Sequence, residues 1–190
     1  MGTRILYLVR HGHYYTERDH AKYGKLTTLG RRQATRVGRR LASVDLHAMH
    51  HSDMLRAVET AEIIASELDR AIPIKSSKLL REGVPTVPCP WLPNFTRAEA
   101  RRDRARMDAA YDRYFKPPRS GQRQELLVAH ANIIRYFVSR AMGDSVAKWA
   151  RISLTQGSLT VIAVGPMPGR ALLMSFNDVG HLPPKMRTFL

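Results

Sequence analysis

Short apolar runs alternate along the chain with longer stretches in which apolar residues recur every three or four positions. The short runs are typical of buried strands, and the longer stretches are typical of helices that bury one face. Strands that alternate with helices favour an α/β fold with a mainly parallel sheet. The predicted strands are residues 4–9, 46–50, 72–75, 125–129, 152–154, 158–164 and 171–176; the predicted helices are 28–41, capped by Thr27 or Thr28, 54–68 and one through 133–138; turns are predicted at Gly157 and 166–169.

The alternation breaks between residues 83 and 124, in a segment rich in Pro and Arg. Its prolines at 85, 88, 90 and 93 first exclude regular structure, and Thr96 with Glu99 then forms a capping-box signature that predicts a helix. We expect an insertion over one end of the sheet, within a single domain of residues 1–190. One face of the helix is interpreted as core and not as a platform for stacking bases. That face carries Met107, Tyr111, Tyr114 and Phe115.

The amino-acid composition limits the classes of protein to which the chain can belong. The 190 residues are 44% hydrophobic, which suits a globular domain, and 31 Lys and Arg against 16 Asp and Glu give a net charge of +15. This charge favours an anionic partner. A lone Cys excludes an internal disulfide framework, and the N-terminal apolar run is too short to span a membrane and lacks a cleavage site. The expected location is therefore cytoplasmic, with no membrane partner.

Ligands of parallel α/β sheets bind beyond the carboxyl ends of the strands, so the residues that follow each predicted strand are the candidate site. Two histidines, two arginines and a carboxylate should meet at one rim of the sheet. These five are Arg10 and His11 after the first strand, Arg56 shortly after the second, Glu82 after the third and His130 after the fourth. Gly12 follows His11, and His50, His51 and Ser52 also lie near the end of the second strand.

Several of these residues suit an anionic group. Arg10 and Arg56 are permanently charged forks that bind phosphate oxygens through two hydrogen bonds. Gly12 lets the backbone approach a ligand closely, and His130 begins a helix whose N-terminus favours an anion. These features together predict a phosphate pocket.

The two remaining residues suit chemistry at phosphorus. His11 can act as a nucleophile through the lone pair of a neutral imidazole, and Glu82 can protonate a leaving oxygen or hold a water as a base. The set describes phosphoryl transfer through phosphohistidine, with no cofactor and no metal. His47 and His51 are four residues apart but lie on a predicted strand and loop, which disfavours zinc.

Four short motifs occur in a fixed order: LVRHG at 8–12, LTTLG at 26–30, SDMLRA at 52–57 and HAN at 130–132. They resemble the signatures of the histidine phosphatase (phosphoglycerate mutase-like) superfamily, and the resemblance covers almost the whole chain. It implies a three-layer α/β/α sandwich and a metal-independent phosphatase. It also implies roles for five residues: His11 is the nucleophile, Glu82 the acid and base, and Arg10, Arg56 and His130 form the phosphate pocket.

Within the superfamily, the segments at 79–83, 130–136 and 157–160 resemble those of the mitochondrial mutase-like protein phosphatases. That resemblance implies a phosphatase of phosphoserine, phosphothreonine or phosphohistidine in proteins. The chain starts at its first predicted strand, so the membrane anchor of those proteins is not carried over. Mutases usually have Ser or Thr and then Asn soon after the Arg-His-Gly signature, and residues 13–17 here are HYYTE.

Two other functions remain as alternatives. The first is a phosphatase or mutase of small sugar phosphates, which a narrow pocket would favour. The second is a nucleic-acid-binding protein, which the net charge of +15 suggests but which is disfavoured because the pocket residues are complete. The expected partner is a phosphorylated substrate, and the sequence leaves a homo-oligomer open.

Overall fold

The computed structural model describes residues 2–16, 23–89, 92, 94–165 and 171–189. The elements follow the alternation seen in the sequence. The strands are β1 (Thr3–Arg10), β2 (Ala48–His51), β3 (Ile74–Ser76), β4 (Gln122–Ala129), β5 (Leu159–Val164) and β6 (Ala171–Asp178). The α-helices are α1 (Thr28–Leu41), α2 (Leu55–Ser66), α3 (Arg97–Tyr114) and α4 (Ala131–Ala141), and short 3₁₀ helices cover Lys78–Leu80, Val146–Arg151 and Pro184–Met186.

The strands form one sheet in the order β3-β2-β4-β1-β5-β6. Neighbouring strands from β3 to β1 run parallel, and β5 is antiparallel to both β1 and β6. The prediction of an α/β fold with a mainly parallel sheet is confirmed. The carboxyl ends of β1, β2, β3 and β4 therefore meet at one edge of the sheet.

Two apolar cores lie on opposite faces of this sheet. Because side chains alternate along a strand, Leu126 and Val128 of β4 pack with α1 and α2, whereas Leu127 and Ala129 pack with α3 and α4. The molecule therefore has the three layers expected of an α/β/α sandwich. The apolar face of α3 is core, as predicted: Met107, Tyr114 and Phe115 are buried and Tyr111 packs against them.

Local signals set the starts of two helices. Thr27 caps α1, where its Oγ1 accepts a hydrogen bond from the Gly30 N–H at 3.1 Å. At α3, Thr96 Oγ1 accepts from the Glu99 N–H at 3.2 Å, and Glu99 Oε2 accepts from the Thr96 N–H at 2.8 Å. The capping box predicted from the sequence is confirmed.

Residues 152–154 do not form the predicted strand, and the residues before them form a 3₁₀ helix. The reason is that side chains, and not a neighbouring strand, bind this backbone. The Leu154 carbonyl accepts a hydrogen bond from Arg10 Nη1 at 2.5 Å, and Asn177 Oδ1 accepts from the Thr155 N–H at 2.8 Å.

Other boundaries differ by a few residues. The strand predicted at 125–129 begins at Gln122, because its polar first residues pair with the start of β1. It therefore overlaps the end of the segment 83–124. Gly157 lies in the predicted turn with φ of 71°, and the predicted turn at 166–169 and the prolines at 90 and 93 lie outside the described residues.

A membrane-crossing helix would need a long apolar stretch, and none of the helices among the described residues has one.

Gly12 and Gly30 bring the loop after β1 into direct contact with α1. A Cβ on Gly12 would lie 2.5 Å from the Gly30 carbonyl oxygen, and a Cβ on Gly30 would lie 1.9 Å from the carbonyl oxygen of His13. Neither neighbour is a flexible side chain, so neither can move aside without shifting the backbone.

We therefore expect Gly30→Ala to lower the free energy of unfolding by about 1–3 kcal/mol, because it overpacks this contact. Urea denaturation measures the change. Gly165→Ala is the matched control, since a Cβ there meets none of the residues that the structure describes within 4 Å. Equal stability of the two variants would show that the loop and helix are not held as closely as the structure has them.

Candidate active site

A cavity of about 510 Å³ opens beyond the carboxyl ends of the parallel strands. Four of the predicted site residues face it together, from three different parts of the chain, and five other residues complete its wall. The lining residues are Arg10, His11, Tyr14, Arg56, Glu82, Leu92, Ala131, Asn132 and Arg135.

The pairing of β1 with β4 places the two predicted histidines side by side. Arg10 is opposite Ala129 in the parallel register, and the His11 N–H donates to the Ala129 carbonyl at 3.0 Å. The next residue on each strand is a histidine, and the ring centroids of His11 and His130 are 5.0 Å apart.

Hydrogen bonds define the protonation of His11. Its Nδ1 lies 2.8 Å from the Gly12 carbonyl oxygen, which can only accept, so Nδ1 carries the proton. Nε2 then has the lone pair and accepts from Arg56 Nε at 3.1 Å. Burial, together with the neighbouring cations, holds the pKa of His11 well below its usual range. His11 is therefore a neutral imidazole with its lone pair on Nε2.

His130 lies against His11 and does not line the cavity. Its Nε2 is 2.8 Å from Ser52 Oγ, and its Nδ1 is buried without a hydrogen-bond partner among the described residues. Burial lowers the pKa of His130 well below its usual range, and the charges of Arg56 and Arg10 lower it further. This residue is therefore also a neutral imidazole.

Two buried guanidinium groups supply positive charge. Burial lowers the pKa of Arg10 to about 10, so it stays charged at neutral pH, and Glu82 partly offsets this effect. Arg10 is oriented by its bond to the Leu154 carbonyl. Arg56 lies with its guanidinium carbon 4.6 Å from the centroid of the Tyr14 ring, at cation–π distance. Both cations are thus held before any ligand binds.

Glu82 sits at the N-terminus of α4. Its Oε1 accepts from the backbone N–H of Asn132 at 3.0 Å and from that of Gly83 at 3.3 Å. Burial raises the pKa of Glu82, although Arg10 and Arg56 act in the opposite direction. Both hydrogen bonds end at Oε1, so Oε2 is the oxygen left to hold a proton.

Helix α3 clamps the loop that carries Glu82. The Arg106 guanidinium donates to three backbone carbonyls of this loop, those of Leu79 at 3.2 Å, Arg81 at 2.6 Å and Glu82 at 2.9 Å. Asp103 accepts from Arg106 at 3.0 Å and from the Val84 N–H at 2.9 Å. One ion pair of α3 thereby fixes the backbone on both sides of Glu82.

Gly12 does not line the cavity. Its N–H donates to Thr60 Oγ1 at 3.1 Å, and its missing side chain makes room for Gly30. The close approach that requires a glycine is therefore between two backbones. The close approach of a ligand to Gly12 stays a prediction.

The sequence reasoning missed Tyr14, Asn132 and Arg135, which also line the cavity. Arg135 donates to Asn132 Oδ1 at 3.0 Å, as their spacing of three on α4 allows. The spacing of three residues between Asn132 and Arg135, in the first turns of the helix after His130, is a sequence signal that could have identified both residues. Tyr14 gave none, because its position depends on the bridge that it forms with Leu26.

The residues at the end of β2 mostly lie away from the cavity. His50 packs edge-on against Tyr114, at 5.1 Å between ring centroids, and the ring of His51 bonds the Ser52 carbonyl at 2.9 Å. Ser52 alone reaches the site, through His130. No three His, Cys, Asp or Glu side chains among the described residues are grouped as metal ligands.

Comparison with known proteins identifies the family. The model of the histidine phosphatase superfamily (branch 1) matches residues 6–84 and 90–178. The chain therefore belongs to the histidine phosphatase superfamily, and the recognition made from its short motifs is confirmed.

Individual relatives of the chain have more specific names than the superfamily. The mitochondrial serine/threonine-protein phosphatase Pgam5 of Caenorhabditis elegans is 39% identical over 98% of this chain and 67% of its own length. The corresponding human protein, PGAM5, is 38% identical over 96% of this chain and 65% of its own length. The chain thus spans about two thirds of these relatives.

Solved structures share the fold. Phosphoglycerate mutase of Plasmodium falciparum is 28% identical with a TM-score of 0.66, and each chain is 96% covered. Bacillus stearothermophilus YhfR is 25% identical with a TM-score of 0.72, over 94% of this chain and 98% of that one. The mutase-like architecture predicted from the sequence is confirmed.

The expected cytoplasmic location is wrong, because these relatives are named mitochondrial. That expectation depended on the lack of a recognisable signal peptide or membrane span in the sequence. Such an absence does not distinguish the cytosol from the interior of an organelle.

The protonation of His11 is directly measurable. We expect long-range ¹H–¹⁵N NMR correlations to show His11 as the neutral Nδ1–H tautomer at pH 6, because its pKa lies well below its usual range. His11→Gln assigns the signal by removing it. An imidazolium pattern for His11 at pH 6 would contradict the hydrogen-bond assignment.

Proposed function

We propose that this chain is a metal-independent phosphatase that hydrolyses phosphomonoesters through a phosphohistidine on His11. The observation that carries the proposal is the state of His11. Its Nε2 lone pair lies in a cavity lined by Arg10, Arg56 and Arg135, next to a carboxyl group whose pKa is raised. A nucleophile, positive charge for a phosphate and a proton donor are therefore together in one cavity.

In the first step, His11 Nε2 attacks phosphorus and the bond from phosphorus to the substrate oxygen breaks. Arg56 gives up its hydrogen bond to Nε2 and, with Arg10, binds the equatorial phosphate oxygens. Protonated Glu82 transfers its proton to the departing oxygen. The products are an alcohol, phosphohistidine and the Glu82 carboxylate.

In the second step, the Glu82 carboxylate takes a proton from a water molecule that attacks the phosphoryl group. The bond between nitrogen and phosphorus breaks, which returns neutral His11 and protonated Glu82 and releases inorganic phosphate. His130 belongs to the proposed phosphate pocket because its ring lies 5.0 Å from that of His11 between centroids and its buried Nδ1 lacks a partner among the described residues.

The proposed substrates are phosphoserine and phosphothreonine in proteins. This choice is supported by the names of relatives that are 38–39% identical over nearly the whole chain. The second candidate, a phosphatase or mutase of small phosphate esters, is favoured by the structural likeness to the Plasmodium mutase. Phosphohistidine in proteins is a third substrate of the same chemistry.

A substrate panel tests the proposal. Purified protein without added metal is expected to hydrolyse p-nitrophenyl phosphate, and His11→Ala is expected to lower kcat by at least about a thousandfold because it removes the nucleophile. Phosphoserine peptides should exceed sugar phosphates in kcat/KM. Activity of His11→Ala close to that of the wild type would exclude the mechanism, and a preference for sugar phosphates would establish the second candidate.

The leaving group tests Glu82 and the clamp that holds it. An alkoxide of serine needs a proton to depart, whereas p-nitrophenolate does not. We therefore expect Glu82→Gln to lower kcat/KM, which reports the step in which the leaving group departs, by about a hundredfold or more on a phosphoserine peptide and by less than about tenfold on p-nitrophenyl phosphate. Arg106→Met should show the same asymmetry in weaker form, because it releases the Glu82 loop.

Arg102→Met is the matched control for that variant. Arg102 is an exposed arginine on the same helix and takes no part in the clamp. Equal losses on both substrates in Arg106→Met would show that the clamp acts on folding or binding and not on proton transfer.

A further inference from the structure

We propose that a basic groove beside the active site binds an acidic segment of the phosphoprotein substrate. The proposal rests on the proposed protein-phosphatase function and adds a determinant of substrate choice. The groove has a volume of about 380 Å³ and lies between the segment that follows Glu82 and helix α3. Its lining residues are Pro85, Thr86, Val87, Arg97, Ala100, Arg101 and Arg104.

The charged wall of the groove is one face of α3. Arg97, Arg101 and Arg104 are spaced by four and three residues, so their side chains lie along the same side of the helix. The opposite wall is largely apolar, with Pro85 and Val87, and Ala100 is buried. An apolar wall and a row of guanidinium groups suit a peptide that carries carboxylates.

The carboxylates of α3 are already engaged elsewhere. Glu99 bonds Thr96, and Asp103 bonds Arg106. Asp108 bonds Arg104 and Arg140, and Asp112 bonds Arg140.

Among the described residues, no carboxylate oxygen lies within 4.0 Å of the charged nitrogens of Arg97 or Arg101, and both residues are exposed. These two positive charges are therefore open to an external anion.

The groove is within reach of a substrate bound at the catalytic centre. Pro85, which lines the groove, follows Glu82, which lines the cavity, by three residues. Three residues of extended chain span at most about 11 Å. A substrate with its phosphoserine at His11 can therefore place a residue only a few positions away in the groove.

The chemistry of the groove favours peptide over nucleic acid. Among the described residues, no aromatic side chain lines the groove, and so the described lining offers no surface on which bases could stack. The guanidinium groups can bind carboxylates in the bidentate manner, and the apolar wall can cover the side chains between them.

The test uses a matched pair of double variants. Arg97→Glu/Arg101→Glu reverses two charges in the groove. Arg32→Glu/Arg36→Glu reverses two exposed charges, also four residues apart, on α1 at the other face of the sheet. Both variants change the net charge equally, so a difference between them reports on position and not on total charge.

Fluorescence anisotropy with an unphosphorylated acidic peptide measures the groove without relying on catalysis. We expect the groove variant to bind about tenfold or more weakly than the wild type, and the α1 variant to bind within about twofold of it. Equal weakening in both variants would overturn the proposal, because binding would then follow the overall charge of +15. The proposal would also be overturned if single-stranded DNA bound more tightly than the acidic peptide and lost affinity to the same extent in the groove variant.

Kinetics then connects the groove to substrate choice. One set of peptides carries acidic residues between two and five positions before or after the phosphoserine. In the comparison set, glutamine replaces these acidic residues. In the wild type, kcat/KM should favour an acidic peptide by about tenfold, and in the groove variant this ratio should approach one. An unchanged ratio in the groove variant would overturn the proposal. Failure of the proposed function would be visible separately, as absence of hydrolysis beside intact peptide binding.

Discussion

The parallel pairing of β1 with β4 is the constraint on which the site depends. The two strands are in register from Thr3 opposite Gln122 to Arg10 opposite Ala129, and each continues directly into a histidine. His11 and His130 are therefore brought together by backbone hydrogen bonds and not by contacts between the two side chains. The same strand end carries Arg10, whose side chain donates to the Leu154 carbonyl.

The electrostatics of the cavity follow from burial. Three arginines line a space in which the two neighbouring imidazoles are neutral and the carboxyl group has a raised pKa. Neutral His11 keeps the lone pair that its charged form would lose, and the raised pKa of Glu82 favours the form that holds a proton. Such a cavity suits a dianionic phosphate, because it holds excess positive charge beside a neutral nucleophile.

The residues attached directly to strand ends could be predicted from the sequence, because the topology of a parallel sheet determines where such residues lie. The positions of Arg10, His11 and His130 were predictable in this way, and the family motifs agreed with them. Tyr14 and Arg106 could not be found, since their roles depend on a bridge between loop residues and on the packing of α3 against the Glu82 loop. The contact between Gly12 and Gly30 could not be predicted, because sequence alone does not show that α1 lies against this loop.

The structure also shows what several of the arginines behind the net charge of +15 contact. Arg10, Arg56 and Arg135 line the cavity, Arg106 holds the Glu82 loop, and Arg104 and Arg140 bond carboxylates of α3. The central claim is that His11 Nε2 carries the phosphoryl group during turnover. Rapid alkaline quench during hydrolysis of a phosphoserine peptide, followed by ³¹P NMR and mass spectrometry, tests this most directly. The account predicts one acid-labile, alkali-stable phosphoryl group on Nε2 of His11; a phosphoryl group on another residue, or turnover in which His11 is never phosphorylated, would contradict it.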